Sequence, residues 1–188
     1  MIITISGTPG SGKTTVAKLL SQRLSLRLVT GGQVFREQAA KLNISLSQLG
    51  SLAENDEKFD RSLDNFLLET LKKGENIIVE SRLAGWLCHI NHITAFKVFI
   101  NAGEDVRINR IRNSLNIRVE EKGENLRLMV KEREESEWKR YKKYYGIDYS
   151  DTSIYDLIVD STDKSAENVS EVIISAFNIW KGAKGENH

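Results

Sequence analysis

Gly7-Thr8-Pro9-Gly10-Ser11-Gly12-Lys13-Thr14 is the stretch that decides the fold. It satisfies G-x-x-x-x-G-K-[ST] at every fixed position. Its flanks suit it. Residues 2–6 form a short apolar run that reads as a buried strand, and from Lys13 onward Val16, Leu19, Leu20 and Leu24 recur at helical spacing. Glycines between such a strand and helix let backbone N–H groups approach a phosphate with no Cβ in the way. The helix N-terminus adds its partial positive charge. In this arrangement Lys13 reaches the β- and γ-phosphates of a nucleoside triphosphate and Thr14 ligates Mg2+. The nucleotide-binding set predicted from the motif is Gly7, Thr8, Pro9, Gly10, Ser11, Gly12, Lys13, Thr14 and the adjoining Thr15. The motif implies ATP or GTP. It leaves open what receives the phosphoryl group.

Outward from the loop, short apolar runs alternate with helical stripes. Strands are predicted at residues 2–6, 27–30, 77–79 running into Glu80, 95–100 and 155–159. Helices are predicted from Lys13, over 33–42 and 45–53, and after a cap at Asn55 or Asp56. That last helix carries Phe59, Leu63, Phe66, Leu67 and Leu71 and stops at Lys73-Gly74. Further helices follow over 104–112, over 125–145 and from Ser165, with a mobile loop at 116–124 and a frayed tail from Gly182. Alternation of this kind indicates an α/β fold with a parallel sheet covered on both faces. Ligands then bind at the carboxyl ends of the strands, which singles out residues 7–15, 30–36, 80–85, 101–112 and 160–164.

At roughly 100–200 residues per domain, 188 residues make one domain. Lys and Arg number 27 against 26 Asp and Glu, a net charge of +1. That balance excludes a coat for nucleic acid and a polybasic membrane binder. No run approaches the ~18–20 apolar residues of a membrane span. One cysteine allows no internal disulfide, and the expected location is the cytoplasm. Cys88, His89 and His92 are too few for a zinc site, which takes four ligands. The run from Lys139 to Tyr145 mixes bases and aromatics, but Glu132, Glu134, Glu135 and Glu137 precede it on the same helix and spoil a basic face.

Three classes use such a loop: small-molecule kinases, switch GTPases or ATPases, and ATP-driven assembly factors. The guanine-reading N-K-x-D stretch of a GTPase does not occur. A kinase needs arginines where strands end, because guanidinium forks bind phosphate oxygens bidentately. Arg36 follows the second strand, Arg82 the third, and Arg107, Arg110 and Arg112 lie on the helix after the fourth. Arg133 and Arg140, two helical turns apart, share a face of the long charged helix.

From the loop onward the chain resembles the nucleoside monophosphate kinases, and within them the archaeal-type cytidylate kinases. The resemblance rests on the loop, on Gly31-Gly32-Gln33-Val34-Phe35-Arg36, on Asp60-Arg61-Ser62-Leu63-Asp64 and on Glu80-Ser81-Arg82-Leu83-Ala84-Gly85-Trp86. It continues through Arg133-Glu134-Glu135-Ser136-Glu137, Arg140-Tyr141, Tyr145-Gly146-Ile147-Asp148 and Ile154-Tyr155-Asp156-Leu157-Ile158-Val159-Asp160. It implies a three-layer P-loop NTPase fold with a five-stranded parallel sheet. A helical monophosphate-binding insert (about 30–73) and a lid (about 112–127) complete it. It implies ATP-dependent phosphorylation of CMP, and of dCMP, with Mg2+. An adenylate kinase or another small-molecule kinase of this fold is the alternative acceptor class, and an ATPase switch or assembly factor the more distant one. The catalytic residues implied are Lys13, Arg82, Arg110, Arg133 and Arg140. Acceptor binding falls to Arg36, Asp60, Ser81, Arg82, Arg133 and Arg140, and Mg2+ to Thr14 and Glu80. The partners are the two nucleotides, with no nucleic acid and no membrane, and a monomer is expected.

Overall fold

The structure, a computed structural model, describes residues 1–74, 76–114 and 125–185. Five strands form one parallel sheet: β1 (Ile2–Gly7), β2 (Arg27–Thr30), β3 (Ile77–Glu80), β4 (Phe96–Asn101) and β5 (Leu157–Asp160), in the order β2-β3-β1-β4-β5. Every residue of β1 is buried, and alternate side chains serve opposite faces. Ile3 and Ile5 join Ile78, Phe96, Val98 and Ile100 against α1 (Lys13–Leu24) and α8 (Ala166–Gly185), which contribute Val16, Leu20, Val169, Ile173 and Phe177. On the other face Ile77 and Val79 meet Leu67 and Leu71 of α4 (Lys58–Lys72), Leu87 and Cys88 of α5 (Ala84–Ile90), and Tyr141 of α7 (Leu126–Tyr145). The expected three layers are therefore present.

α2 (Gly31–Leu42), α3 (Leu46–Asn55) and α4 lie between β2 and β3, where a helical insert is expected, and α6 (Glu104–Arg112) follows β4. Ser45 caps α3 in a reciprocal box with Gln48. Ile108 and Ile111 of α6 pack on Leu126 and Val130 of α7. The expected loop at 116–124, and all but the ends of the expected lid, lie outside the described residues.

Two elements differ from expectation. α5 was not anticipated, because Leu83-Ala84-Gly85-Trp86-Leu87-Cys88 is apolar on nearly all sides and shows no helical period. α8 runs on to Gly185, past the glycine at which fraying is expected.

The topology places the ligand crevice. β1 leaves through α1 on one face and β3 through α5 on the other, so the chain connections beyond these adjacent strands diverge and leave a crevice at their carboxyl ends. Among the described residues no helix is long and apolar enough to cross a membrane.

Candidate active site

The crevice opens into a cleft of about 1030 Å³. That is the upper end of the ~300–1,000 Å³ of pockets for single small ligands. The phosphate loop forms one end. Gly10 and Gly12 hold φ of 75° and 87°, in the left-handed region that favours glycine. Two of the glycines are also fixed by their surroundings. A Cβ on Gly7 would lie 1.9 Å from the Ile100 carbonyl oxygen, and one on Gly10 would lie 2.4 Å from that of Arg107. Phosphate approach is one reason for these glycines; packing against β4 and α6 independently demands Gly7 and Gly10. Thr8 donates its hydroxyl to Asn101 at 2.9 Å, Pro9 is buried, and Ser11 donates its hydroxyl back to the Thr8 carbonyl at 2.9 Å. Thr15 is exposed on the cleft wall.

Lys13 is buried and donates to the Thr8 carbonyl at 2.5 Å. Burial first, and Arg82 second, push its amine down to about 7. Glu80 and Glu137 oppose the fall without cancelling it, and an arriving polyphosphate adds negative charge that favours the charged amine. Beside it the Thr14 hydroxyl donates to Glu80 Oε2 at 3.2 Å. Glu80 ends a fully buried strand and is itself 6% exposed. A hydroxyl and a carboxylate in contact, both hard oxygen donors at the crevice, fit Mg2+ or its water shell.

The other end of the cleft is built by α4 and α7. α4 turns Asp60 and Asp64, one helical turn apart, toward the cleft and Leu67 and Leu71 toward the core. Asp60 Oδ2 accepts from Arg140 Nε at 2.7 Å, a pair in which both residues are buried. Burial raises the Asp60 carboxyl while Arg140 opposes the rise. Burial likewise works against the charge of Arg140, and Asp60, Tyr141 and Glu137 outweigh it. Asp64 accepts from the Tyr145 hydroxyl at 2.7 Å. Burial carries its carboxyl up to about 7 against that hydrogen bond, with the charge of Asp60 adding to the rise.

The remaining expected residues also reach the cleft. Arg36 lines it from α2 and is exposed. Arg133 lines it from the same face of α7 as Arg140. Ser81 is buried, lines the cleft, and its hydroxyl meets no hydrogen-bond partner among the described residues. Arg82 is held by Glu137 Oε2 at 2.7 Å and the Gly7 carbonyl at 2.7 Å. Burial opposes its charge, and Glu137, Tyr141 and Tyr149 more than offset that. Arg110 also lines the cleft, but its terminal nitrogens are engaged by Ser161, at 3.0 Å to the hydroxyl and 2.7 Å to the carbonyl. That places it against the β5–α8 turn, on the loop side of the cleft rather than beside Asp60.

Four further residues support the site without having been assigned a role in it from the sequence. Asp64 belongs there to the 60–64 stretch of the resemblance and Arg107 to the arginines after the fourth strand. Glu134 and Glu137 belong to the 133–137 stretch and to the acids that spoil a basic face. The signal that could have found the glutamates is their i, i+3 spacing beside Arg133 and Arg140. The weaker motifs resolve as structure. Cys88 is in the core while His89 and His92 are exposed, and burial pushes its thiol up to about 12. Tyr144 of the basic-aromatic run donates to the Ala53 and Glu54 carbonyls of α3.

A model of the cytidylate kinase-like family matches residues 2–163. A cytidylate kinase from Archaeoglobus fulgidus is 40% identical over 184 residues, covering 96% of this chain and 97% of that protein. Another from Sulfurisphaera tokodaii is 39% identical over 178 residues, covering 95% and 96%. Among solved structures, a shikimate kinase from Bacteroides thetaiotaomicron matches with a TM-score of 0.68 at 17% identity, covering 95% of this chain and 98% of that one. This last likeness concerns the fold, and it agrees with the three-layer arrangement expected from the alternation of strands and helices and from the resemblance.

Proposed function

The chain belongs to the cytidylate kinase-like family, and on that premise we propose that it transfers the γ-phosphoryl group of ATP to CMP. The observation that carries the reading is a single cleft with the phosphate loop at one end and a buried group of acids and arginines at the other. ATP takes the loop end and CMP the α4–α7 end. An oxygen of the CMP phosphate bonds to the γ-phosphorus, and the bond from that phosphorus to the β-bridging oxygen breaks, leaving ADP and CDP.

The acceptor oxygen is already anionic at neutral pH, so no strong general base is needed. Catalysis is positioning and charge neutralisation. Lys13 and the loop amides hold the β- and γ-phosphates. Thr14 and Glu80 hold Mg2+ or its waters, and the ion, when bound, neutralises charge on the transferring group. Arg36, Arg82 and Ser81 grip the acceptor phosphate. Arg133 and Arg140 face the transferring group, and Arg110 steadies the donor side through Ser161. Asp60, with Asp64 one turn on, supplies the carboxylates that accept from the exocyclic amine of cytosine, a donor that uracil lacks. We extend the reading to dCMP, to residues 30–73 as the monophosphate-binding part and 112–127 as the lid of one domain, and to a monomer in the cytoplasm.

The test is ADP release measured across CMP, dCMP, UMP, AMP and GMP. CMP should give the highest kcat/KM, and Lys13→Ala should abolish release without unfolding the protein. Preference for AMP would move the chain to the alternative acceptor class. No stimulation by any monophosphate would refute the kinase reading.

A further inference from the structure

Four carbonyls of the phosphate loop accept from charged or hydroxyl side chains, three of them from donors beyond the loop. The Gly7 carbonyl accepts from Arg82 Nη1 at 2.7 Å, that of Thr8 from Lys13 Nζ at 2.5 Å, and that of Pro9 from Arg107 Nη1 at 3.1 Å. The Ser11 carbonyl accepts from the Ser161 hydroxyl at 2.9 Å, and Ser161 is in turn held by Arg110.

Two of these donors end on one helix. Arg82 Nε pairs with Glu137 Oε2 at 2.7 Å, and Arg107 Nη1 with Glu134 Oε1 at 2.8 Å. Both pairs are largely buried, with side-chain exposures of 16% and 11% for Arg82 and Glu137 and 12% and 21% for Arg107 and Glu134. The two glutamates lie one turn apart on α7. Each guanidinium is therefore shared between a loop carbonyl and an α7 carboxylate, which fixes the plane of its fork.

We infer that Glu134 and Glu137 are positioning residues that set the shape of the phosphate loop through Arg107 and Arg82. The reading rests on the loop being the ATP site. Coulomb's law alone argues against carboxylates there, since each repels a polyphosphate a few ångströms beyond it. Their presence is accounted for by what they hold. Without Glu134, Arg107 loses the partner that keeps it on the Pro9 carbonyl and is free to turn away. Without Glu137, Arg82 is released from its place between α7 and Gly7. α7 packs on α6 through Ile108, Ile111, Leu126 and Val130, so the helix that carries the glutamates and the helix that carries Arg107 are joined. A shift of α7 therefore reaches two adjoining corners of the loop.

The sign of one measurement separates positioning from charge. Binding of a non-hydrolysable ATP analogue with Mg2+, and no acceptor, is followed by titration calorimetry on the full chain. Removing a negative charge near a polyanion should by itself tighten binding. Positioning requires the opposite: Glu134→Gln and Glu137→Gln each weaken binding, by about fivefold to tenfold. If Glu134 acts through Arg107, adding Glu134→Gln to Arg107→Met causes no further loss. Thermal melts establish that each variant is folded, and the two glutamates are independent, so failure to fold at one leaves the other to decide. A folded Glu→Gln variant that binds as well as the parent or better, or losses that add in the double variant, would overturn the positioning role alone. A parent that does not bind the analogue would overturn the reading of the loop, and this inference with it.

Discussion

Replacing Asp64 by asparagine should change the stability of this protein in a pH-dependent way whose sign is fixed by the structure. The carboxyl is 6% exposed, and burial lifts it from an ordinary value of 3.8 to about 7. The groups that act on it are Asp60 and Arg61 on α4 and Tyr145 and Arg140 on α7. Because the folded-state value is the higher one, folding takes up a proton between about pH 4 and pH 7. The associated stability is fully present below about pH 4 and is lost as pH rises through about 7. A shift of about 3 units corresponds to about 4 kcal/mol over the whole window. Between pH 5 and pH 8 the loss is about 2.5 kcal/mol. The asparagine amide oxygen still accepts from the Tyr145 hydroxyl and does not titrate, so Asp64→Asn removes this slope. Whatever the substitution costs in packing is the same at both pH values and cancels in the difference. Lys13, whose own value is pushed down to about 7, titrates in both proteins and cancels too. Urea unfolding of parent and variant at pH 5 and pH 8 is the assay. The stability gap should move by about 2.5 kcal/mol in favour of the variant on going to pH 8, a relative shift of roughly 5–10 °C in Tm for a chain of this length. A gap equal at the two pH values would refute the assignment of a raised carboxyl to Asp64.

Gly10→Ala should cost about 2–4 kcal/mol in denaturant unfolding, from left-handed strain together with a Cβ pressed to 2.4 Å from the Arg107 carbonyl. Gly12→Ala, which has only Arg110 Nη1 at 4.0 Å, should cost only the about 1–2 kcal/mol of strain. Glu80→Gln should raise the Mg2+ concentration for half-maximal turnover by about tenfold or more, since it removes the carboxylate beside the Thr14 hydroxyl; an unaltered Mg2+ titration would remove Glu80 from the metal site. Arg140→Met leaves Asp60, 2% exposed, without its ion partner and should destabilise by about 3–5 kcal/mol. Adding Asp60→Asn should recover part of that loss in a thermal melt.

What could be read from the chain beforehand follows from how local each signal is. The inner strands were legible because buried parallel strands are short apolar runs, and the edge strand β2, which buries none of its four residues, was legible from Leu28-Val29 and the glycines that follow it. The phosphate loop was legible because a contiguous backbone conformation requires a contiguous set of residue types. Thr14 and Glu80 could be paired because each ends or follows a strand, and strand ends converge in a parallel sheet. Two features were not local. α5 is wrapped by β1, β4 and Tyr155, whose ring would lie 2.5 Å from a Cβ on Gly85, so no polar face marks its period. The partners of the arginines lie 55 residues away for Arg82 and 80 for Arg140, and nothing along the chain matches one acid among 26 to one base among 27.

Those pairings change the meaning of a net charge of +1. Taken as a total, it sets only the expectation that the partner is not a polymeric polyanion. Within the cleft, Arg140 is neutralised by Asp60 and Arg82 by Glu137, and against the phosphate loop Arg107 is neutralised by Glu134. An empty pocket of unpaired guanidinium groups would repel itself and resist folding, because a buried charge without a partner is costly. The acids remove that cost before any substrate arrives. Arg36 stands exposed on the cleft wall, but at Arg82, Arg110 and Arg140 a phosphate must take over a place already held by a carbonyl or a carboxylate. Binding there is an exchange of partners, and its net gain depends on how well the incoming oxygens match positions set by α4 and α7. In such a site discrimination among small phosphates comes from geometry more than from total charge, which is what a chain with nearly equal numbers of acids and bases is able to provide.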